Sequence, residues 1–163
     1  MFKHVPHALA ALLLLSEFAM AEDIPAKLVP PAGTTLIGKY AAKGVQIYAC
    51  AAKGAGNEWT FKAPEAVLTG ADGKTLKHYA GPTWEAPDGS KIVGKAIAND
   101  PAPQPGNIPW LLLSVESSGT GLLAGARFVQ RVNTKGGVGP IGVCATAGVE
   151  QRVDYTADYL IYK

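Results

Sequence analysis

Histidine is nearly absent from this chain of 163 residues, which contains only three. Two of them, His4 and His7, fall in an N-terminal segment that we predict to be removed, so that His78 is the single histidine left. A multi-histidine metal site within one chain is thereby excluded, and the zinc-binding motif H-E-x-x-H is missing. We predict no metal site and no cofactor.

Long apolar runs are missing as well. The apolar run at residues 8–15 is far shorter than the roughly 20 residues that a membrane-spanning helix needs. It follows the basic Lys3 and precedes Ala19-Met20-Ala21, an A-x-A cleavage site, which is the layout of a secretory signal peptide. We predict a signal peptide over residues 1–21. Residues 22–163 then form a single secreted β-domain, periplasmic or extracellular, with no integral membrane segment after cleavage.

An excess of one charge is also lacking. The formal net charge is +2 at pH 7, and the basic residues are scattered along the sequence. Nucleic-acid-binding proteins carry basic residues in clusters or stripes. We therefore predict no nucleic-acid partner.

Cysteine is limited to Cys50 and Cys144. Disulfides persist in exported proteins, so we expect these two residues to pair; a free thiol or a bridge between two chains are the alternatives. Closing so long a loop contributes up to about 4.6 kcal/mol in the chain-entropy description.

No stretch of the chain keeps the 3.6-residue apolar period of a helix, while 19 glycines and 12 prolines punctuate it. Short apolar segments between turn signals are typical of all-β domains. Residues 153–161 alternate most cleanly, and the continuous apolar run 110–115 suits a strand buried on both faces. We predict a single-domain antiparallel sandwich or closed barrel with one disulfide, and the sequence does not choose between the two.

Charged residues suggest how the last strand pairs. Asp154 and Asp158 lie on one face of it, and Arg127 and Arg131 lie on one face of the preceding strand. Opposite charges on neighbouring strands attract. If these two strands pair, the aspartates are expected to face the arginines.

Reactive side chains concentrate in residues 78–90. His78 could act as an acid or base near neutral pH, with Glu85 or Asp88 as its partner. The competing interpretation is a hydrogen-bonded core histidine, because His78 shares strand parity with Leu76, and an Asp at position 88 suits the turn itself. The formal match of residues 137–142 to G-x-G-x-x-G is rejected, since no helix opens there and Pro140 lacks an N–H.

Aromatic residues are a second candidate feature. Aromatic faces bury large areas and stack on sugars and other planar groups, although core packing is the commoner role. Trp84 and Trp110 adjoin proline-bounded loops, where binding residues are often displayed. We therefore expect these two tryptophans to be exposed for binding.

Ordered motifs along nearly the whole of residues 22–163 resemble one secreted family of bacteria and fungi, catalogued as domain of unknown function 3455. The segments that carry the resemblance are GVQIYAC (44–50), WTF (59–61), PEA (64–66), HYAGPTWE (78–85), IPWLLL (108–113), QRV (130–132), Gly136-Gly137, Cys144 and YTADY (155–159). The resemblance implies an exported single-domain protein and supplies no catalytic residue. It draws attention to six residues as candidates for ligand binding: His78, Tyr79, Trp84, Glu85, Trp110 and Arg131.

Three functional hypotheses follow. The favoured one is an exported, non-catalytic β-domain that binds a small molecule, an envelope glycan or another cell-envelope component. The second is a small secreted hydrolase that uses His78 with Glu85 or Asp88, which requires these side chains to converge in one pocket. The third is a structural or protective envelope protein without a small-molecule site.

Overall fold

The chain folds as a series of antiparallel hairpins. The computed structural model describes residues 23–163; the expected signal peptide, residues 1–21, lies outside the described residues. After a short 3₁₀ turn at Ala26–Leu28 come eight strands: β1 Leu36–Lys53, β2 Gly56–Gly70, β3 Thr75–Tyr79, β4 Thr83–Glu85, β5 Lys91–Asp100, β6 Trp110–Ser118, β7 Phe128–Gly136 and β8 Glu150–Tyr162.

Each strand pairs with the next one along the chain, and β8 pairs with β1 to close the ring. The closing ladder runs from Leu36 opposite Tyr162 to Ala49 opposite Glu150. The prediction of an all-β fold is confirmed, and the alternative that the structure adopts is the closed, up-and-down barrel. Closure leaves no unpaired sheet edge.

The two ends of the barrel differ. At the end that we call the plugged end, the turn 86–90 and the loop 119–127 meet, and Leu123 from that loop packs into the main core cluster with Leu68, Leu76 and Ile92. The turn holds the loop through Asp88, whose Oδ2 accepts a hydrogen bond from the Leu122 N–H at 2.7 Å. The other end, which we call the pocket end, is bordered by residues 80–82, 101–109 and 137–149.

Strand β6 is buried on both faces, as its continuous apolar run predicts. Leu113 and Val115 belong to the core inside the barrel. Trp110 and Leu112 face outward into a second cluster with Leu28, which the 3₁₀ turn lays over the outer surface. The buried side-chain amide of Gln130 stabilises the position of the 3₁₀ turn by donating a hydrogen bond to the Leu28 carbonyl oxygen at 2.7 Å.

The disulfide forms as expected between Cys50 and Cys144, so neither a free thiol nor an interchain bridge is needed. It ties the loop 137–149 to the end of β1, where two backbone hydrogen bonds also join the loop to Asn57 and Trp59. The disulfide is compatible with an oxidising, exported environment. No helix within residues 23–163 is long and apolar enough to cross a membrane.

Candidate ligand-binding site

The pocket end of the barrel contains a cavity of about 330 Å³. This volume lies at the lower end of the range for small-molecule sites. Its apolar walls come from β2, the β3–β4 turn, β4, β5 and β6, and its polar groups from β1, β2, β3, β7 and β8. The lining residues are Gln46, Phe61, Lys62, Pro64, His78, Gly81, Pro82, Trp84, Ala96, Leu111, Leu113, Arg131 and Tyr159.

His78 lies on the inner face of β3, opposite Ala66 of β2 and Trp84 of β4. Its ring stacks on the Trp84 ring at 4.4 Å between centroids, with 11° between the planes. The edge of Tyr159 completes the contact, at 5.3 Å from His78. The histidine is thus fixed by aromatic packing, as the core interpretation of its strand parity predicts.

The protonation of His78 follows from these surroundings. The pKa of His78 is lowered from 6.5 to about 4, mainly because the ring is buried; the hydrogen bond with Thr83 opposes this shift and the nearby Arg131 charge adds to it. Because Nδ1 lies 2.9 Å from the Thr83 carbonyl oxygen, which can only accept, Nδ1 carries the proton. At neutral pH the ring is therefore uncharged, and Nε2 is left as an acceptor.

The turn between β3 and β4 forms part of the cavity rim and depends on a glycine. Gly81 has φ of +134°, and a Cβ atom there would lie 2.5 Å from the Thr83 hydroxyl oxygen. That hydroxyl donates to the Ala80 carbonyl at 2.8 Å. Only glycine satisfies this backbone without strain.

Arg131 brings a positive charge to the cavity. It lies on β7, between Leu111 of β6 and Tyr159 of β8, and both its Nε and Nη2 donate to the Pro109 carbonyl oxygen, at 3.1 and 2.7 Å. These two bonds hold the planar guanidinium in one orientation. No carboxylate within residues 23–163 forms an ion pair with it.

Gln46 adds a polar group that is almost fully enclosed. Its side chain is 3% exposed, and its Nε2 has no hydrogen-bond partner. Burial raises the pKa of the neighbouring Tyr155 phenol, and the Gln46 amide, which lies close to that phenol without meeting hydrogen-bond geometry, offsets a small part of the rise. The Tyr155 and Tyr159 hydroxyls lie 3.3 Å apart and share one hydrogen bond, so one of the two hydroxyl protons remains available for another acceptor.

Lys62 stands at the rim and is already neutralised. Its ammonium pairs with the Glu150 carboxylate, and both side chains are substantially exposed. Of the two cationic side chains that line the cavity, Arg131 is therefore the one without a counter-ion among the described residues.

The structure divides the six predicted ligand-binding residues into two groups. His78, Trp84 and Arg131 line the cavity together. Tyr79 and Glu85 are neighbours on the opposite, outer face of the sheet, where the Tyr79 hydroxyl donates to Glu85 at 2.6 Å and Lys91 lies 3.3 Å from the same carboxylate. Trp110 belongs to the second, outer cluster and does not reach the cavity.

The expectation that Trp84 and Trp110 are exposed for binding is wrong, since each is only 1% exposed. Trp84 sits in the short strand β4 with its ring turned inward. Trp110 opens β6 and is covered by the 3₁₀ turn. A proline-bounded loop borders each tryptophan, but the alternation of the strand decides where the side chain points.

The pairing that the hydrolase hypothesis requires is not formed. Glu85 faces outward because it is one residue away from Trp84 along β4, whereas His78 faces inward. The Asp88 carboxylate is already hydrogen-bonded at the plugged end. It accepts from the N–H and the hydroxyl of Ser90, at 2.9 and 2.6 Å, and from the Leu122 N–H. Neither carboxylate hydrogen-bonds to His78.

Sequence reasoning missed Gln46 and Tyr159 as cavity residues. In the sequence, the apolar residues Val45 and Ile47 alternate with Gln46, so the strand pattern places Val45 and Ile47 on the inner face and Gln46 on the outer face. The signal that identifies Gln46 is its shared parity with Tyr40 and Ala42, both of which face the core.

Fold and cavity together define a class: a disulfide-bonded, eight-stranded, up-and-down β-barrel that is filled at one end and hollow at the other. The chain belongs to the family described as protein of unknown function (DUF3455), whose family model matches residues 31–163. This confirms the resemblance that its motifs indicate. No curated protein and no solved structure matches the chain.

Proposed function

We propose that this protein is an exported binding protein that holds one small ligand in the pocket end of its barrel and catalyses no reaction. The observation that carries the proposal is the cavity itself, which His78, Trp84 and Arg131 line together. Eight-stranded barrels are just wide enough to hold one small ligand. Mostly apolar walls with a few fixed polar groups are typical of such sites.

The absence of an acid–base pair supports binding without chemistry. The residues that line the cavity include no aspartate or glutamate, and the single histidine among them is neutral and held by a backbone carbonyl. General acid–base catalysis needs a proton donor or acceptor with a pKa near the working pH. His78, with its pKa of about 4, does not meet that condition at neutral pH.

The size of the cavity favours a small molecule over a long glycan. Its volume of about 330 Å³ corresponds to roughly eleven water molecules at their share of the liquid volume. A polymeric envelope glycan could enter only by an end unit. An envelope component that carries a compact group would fit in the same way.

Export is supported by the layout of residues 1–21 and by the Cys50–Cys144 disulfide. We place the mature protein in the periplasm or outside the cell. Its mature N-terminus is then Glu22.

Binding can be tested with an uncharged fluorescent probe, N-phenyl-1-naphthylamine, whose emission rises in apolar surroundings. Ala96 is an exposed residue on the cavity rim, opposite Leu113. Ala96→Trp is expected to block the entrance and weaken probe binding by about tenfold or more. Val93→Trp, on the same strand but on its outer, exposed face, is the matched control and should bind as the wild type does.

Two results would contradict the proposal. If Ala96→Trp binds the probe as well as wild type does, the probe occupies another surface. If wild type shows no saturable binding of the probe, the structural or protective envelope role becomes the better explanation.

A further inference from the structure

The charged side chains that line the cavity, Arg131 and Lys62, are both basic, and among the described residues only Lys62 is paired with a carboxylate. Arg131 carries its positive charge on the cavity wall without a carboxylate partner among residues 23–163. No lining side chain is acidic, and His78 contributes no charge at neutral pH. A cleft with one sign of charge and low-dielectric walls concentrates ions of the opposite sign.

The same cavity offers hydrogen-bond donors that lack acceptors. The Gln46 Nε2 group is buried and unpaired. Arg131 uses Nε and Nη2 on the Pro109 carbonyl oxygen, which leaves donors of its five N–H groups for another acceptor. Tyr159 also lines the cavity, and its hydroxyl shares one hydrogen bond with the Tyr155 hydroxyl. Buried donors without acceptors are unfavourable, so a ligand that supplies acceptor atoms would relieve them.

The remaining walls are apolar. Trp84, Leu111 and Leu113 form much of the inner surface, and Pro82 and Phe61 lie toward the rim. A ligand that fits must therefore combine a compact apolar body with acceptor oxygens at one end. A fully polar ion such as inorganic phosphate would leave these walls without contact.

We propose that the ligand of this pocket is a compact organic anion, in which an apolar body fills the space beside Trp84 and Leu113 and a carboxylate pairs with Arg131 and accepts a hydrogen bond from Gln46. This inference rests on the proposed function and names the ligand class for the same site. Arg131 supplies the charge, and the two bonds to Pro109 fix its orientation before the ligand arrives. A preorganised guanidinium is suited to carboxylate recognition because its planar fork can donate two parallel hydrogen bonds.

The test uses three probes of nearly equal shape at pH 7: 2-naphthoate, which is an anion, 2-naphthamide, which is neutral, and 2-naphthylmethylamine, which is a cation. Dissociation constants are measured by calorimetry with the disulfide-bonded mature protein. The anion is expected to bind at least tenfold more tightly than the amide, because a charge-assisted hydrogen bond contributes more than a neutral one. The cation is expected to bind most weakly.

Variants identify the group that is responsible. Arg131→Gln should bring the affinity for 2-naphthoate down to that for the amide and leave the amide unchanged. Arg127→Gln makes the same change of charge at an exposed position near the plugged end and should keep the preference. Gln46→Glu supplies a carboxylate from the protein itself, so it should also abolish the preference for the anion; this variant keeps the test decisive if Arg131→Gln does not fold.

The outcomes separate the two proposals. If the amide binds as tightly as the anion, and Ala96→Trp blocks both, the cavity is a binding site but the inference of an anionic ligand is wrong. That inference is equally wrong if the preference for the anion survives in Arg131→Gln. If 2-naphthoate binds equally well to Ala96→Trp, or if none of the three probes binds, the inference of an anionic ligand fails; the proposed function fails with it only if N-phenyl-1-naphthylamine also shows no saturable binding that Ala96→Trp blocks.

Discussion

Acidification should destabilise this protein through His78, the only histidine within residues 23–163. In the folded state burial lowers its pKa from 6.5 to about 4. Between these two values the unfolded chain binds a proton that the folded chain does not, so stability rises with pH across that interval and is lost as the pH falls through it. The stabilisation is complete above pH 6.5 and gone below pH 4.

The loss of unfolding free energy can be calculated from the difference between the unfolded and folded pKa values of His78. At about 1.4 kcal/mol per pH unit, the shift corresponds to about 3 kcal/mol in full and to about 2 kcal/mol between pH 7 and pH 5. The groups that face His78 are the Thr83 carbonyl, the Trp84 and Tyr159 rings and the Arg131 guanidinium.

The assay is urea unfolding at pH 7, 6 and 5 of the wild type and of His78→Phe, a variant that keeps a ring against Trp84. The wild type should lose about 2 kcal/mol of unfolding free energy over this range, and His78→Phe should lose much less. Contributions from carboxylates cancel in the difference between the two proteins. If the two proteins lose stability in parallel, His78 is not a buried neutral residue and the description of the site is wrong.

Four further predictions test other parts of the structure. Replacing both Cys50 and Cys144 by serine should lower the unfolding free energy by up to about 4–5 kcal/mol, since the bond closes a separation of 94 residues; a loss below about 1 kcal/mol in denaturant unfolding would contradict this. Trp110→Ala should cost about 3–5 kcal/mol by the same assay, because the side chain is fully buried in the outer cluster, and an unchanged midpoint would place Trp110 at the surface. Gly81→Ala should cost about 1–3 kcal/mol because of its positive φ, with stability equal to wild type as the contrary result. The intact mass of exported protein should correspond to a chain that begins at Glu22, and a mass that retains residues 1–21 would refute cleavage.

The strands of this fold were predictable wherever alternation is local. In β8 the residues Tyr155, Ala157, Tyr159 and Ile161 face the core as their spacing predicts. The choice between sandwich and barrel was not predictable, because it depends on whether β1 and β8 pair. Their ladder joins residues more than one hundred positions apart, and no local pattern encodes it.

The polar residues of the site could not be placed from the sequence for a related reason. Strand alternation groups Arg131 with Arg127 as outward-facing and predicts that Asp158 meets these arginines. In the structure Arg131 faces the cavity, while Asp158 accepts from Asn133 at 2.9 Å and pairs with Lys39 at 3.1 Å. The prediction of these ion pairs is wrong because β6 and β7 bury side chains on both faces of the sheet. In such strands a polar residue can lie on either face, so the polarity of Arg131 does not show that it faces outward.

The choice of tryptophans illustrates the same point. Trp84 and Trp110 look alike in sequence, since each adjoins a proline-bounded loop. They lie on opposite faces of the barrel wall, because one faces the cavity and the other faces the 3₁₀ turn that covers β6. Only the register of the whole sheet and the path of residues 26–28 distinguish the two roles.

This difference between the two tryptophans provides the most direct test of the binding site. The indole N–H groups of Trp84 and Trp110 are both buried without a partner, and both can be followed in a nitrogen–proton correlation NMR spectrum while 2-naphthoate is added. The signals of the Trp84 indole and the Gln46 side-chain amide should move in a saturable way, and the Trp110 indole should stay in place. Movement of Trp110 alone, or of none of these signals, would contradict a ligand site inside the barrel.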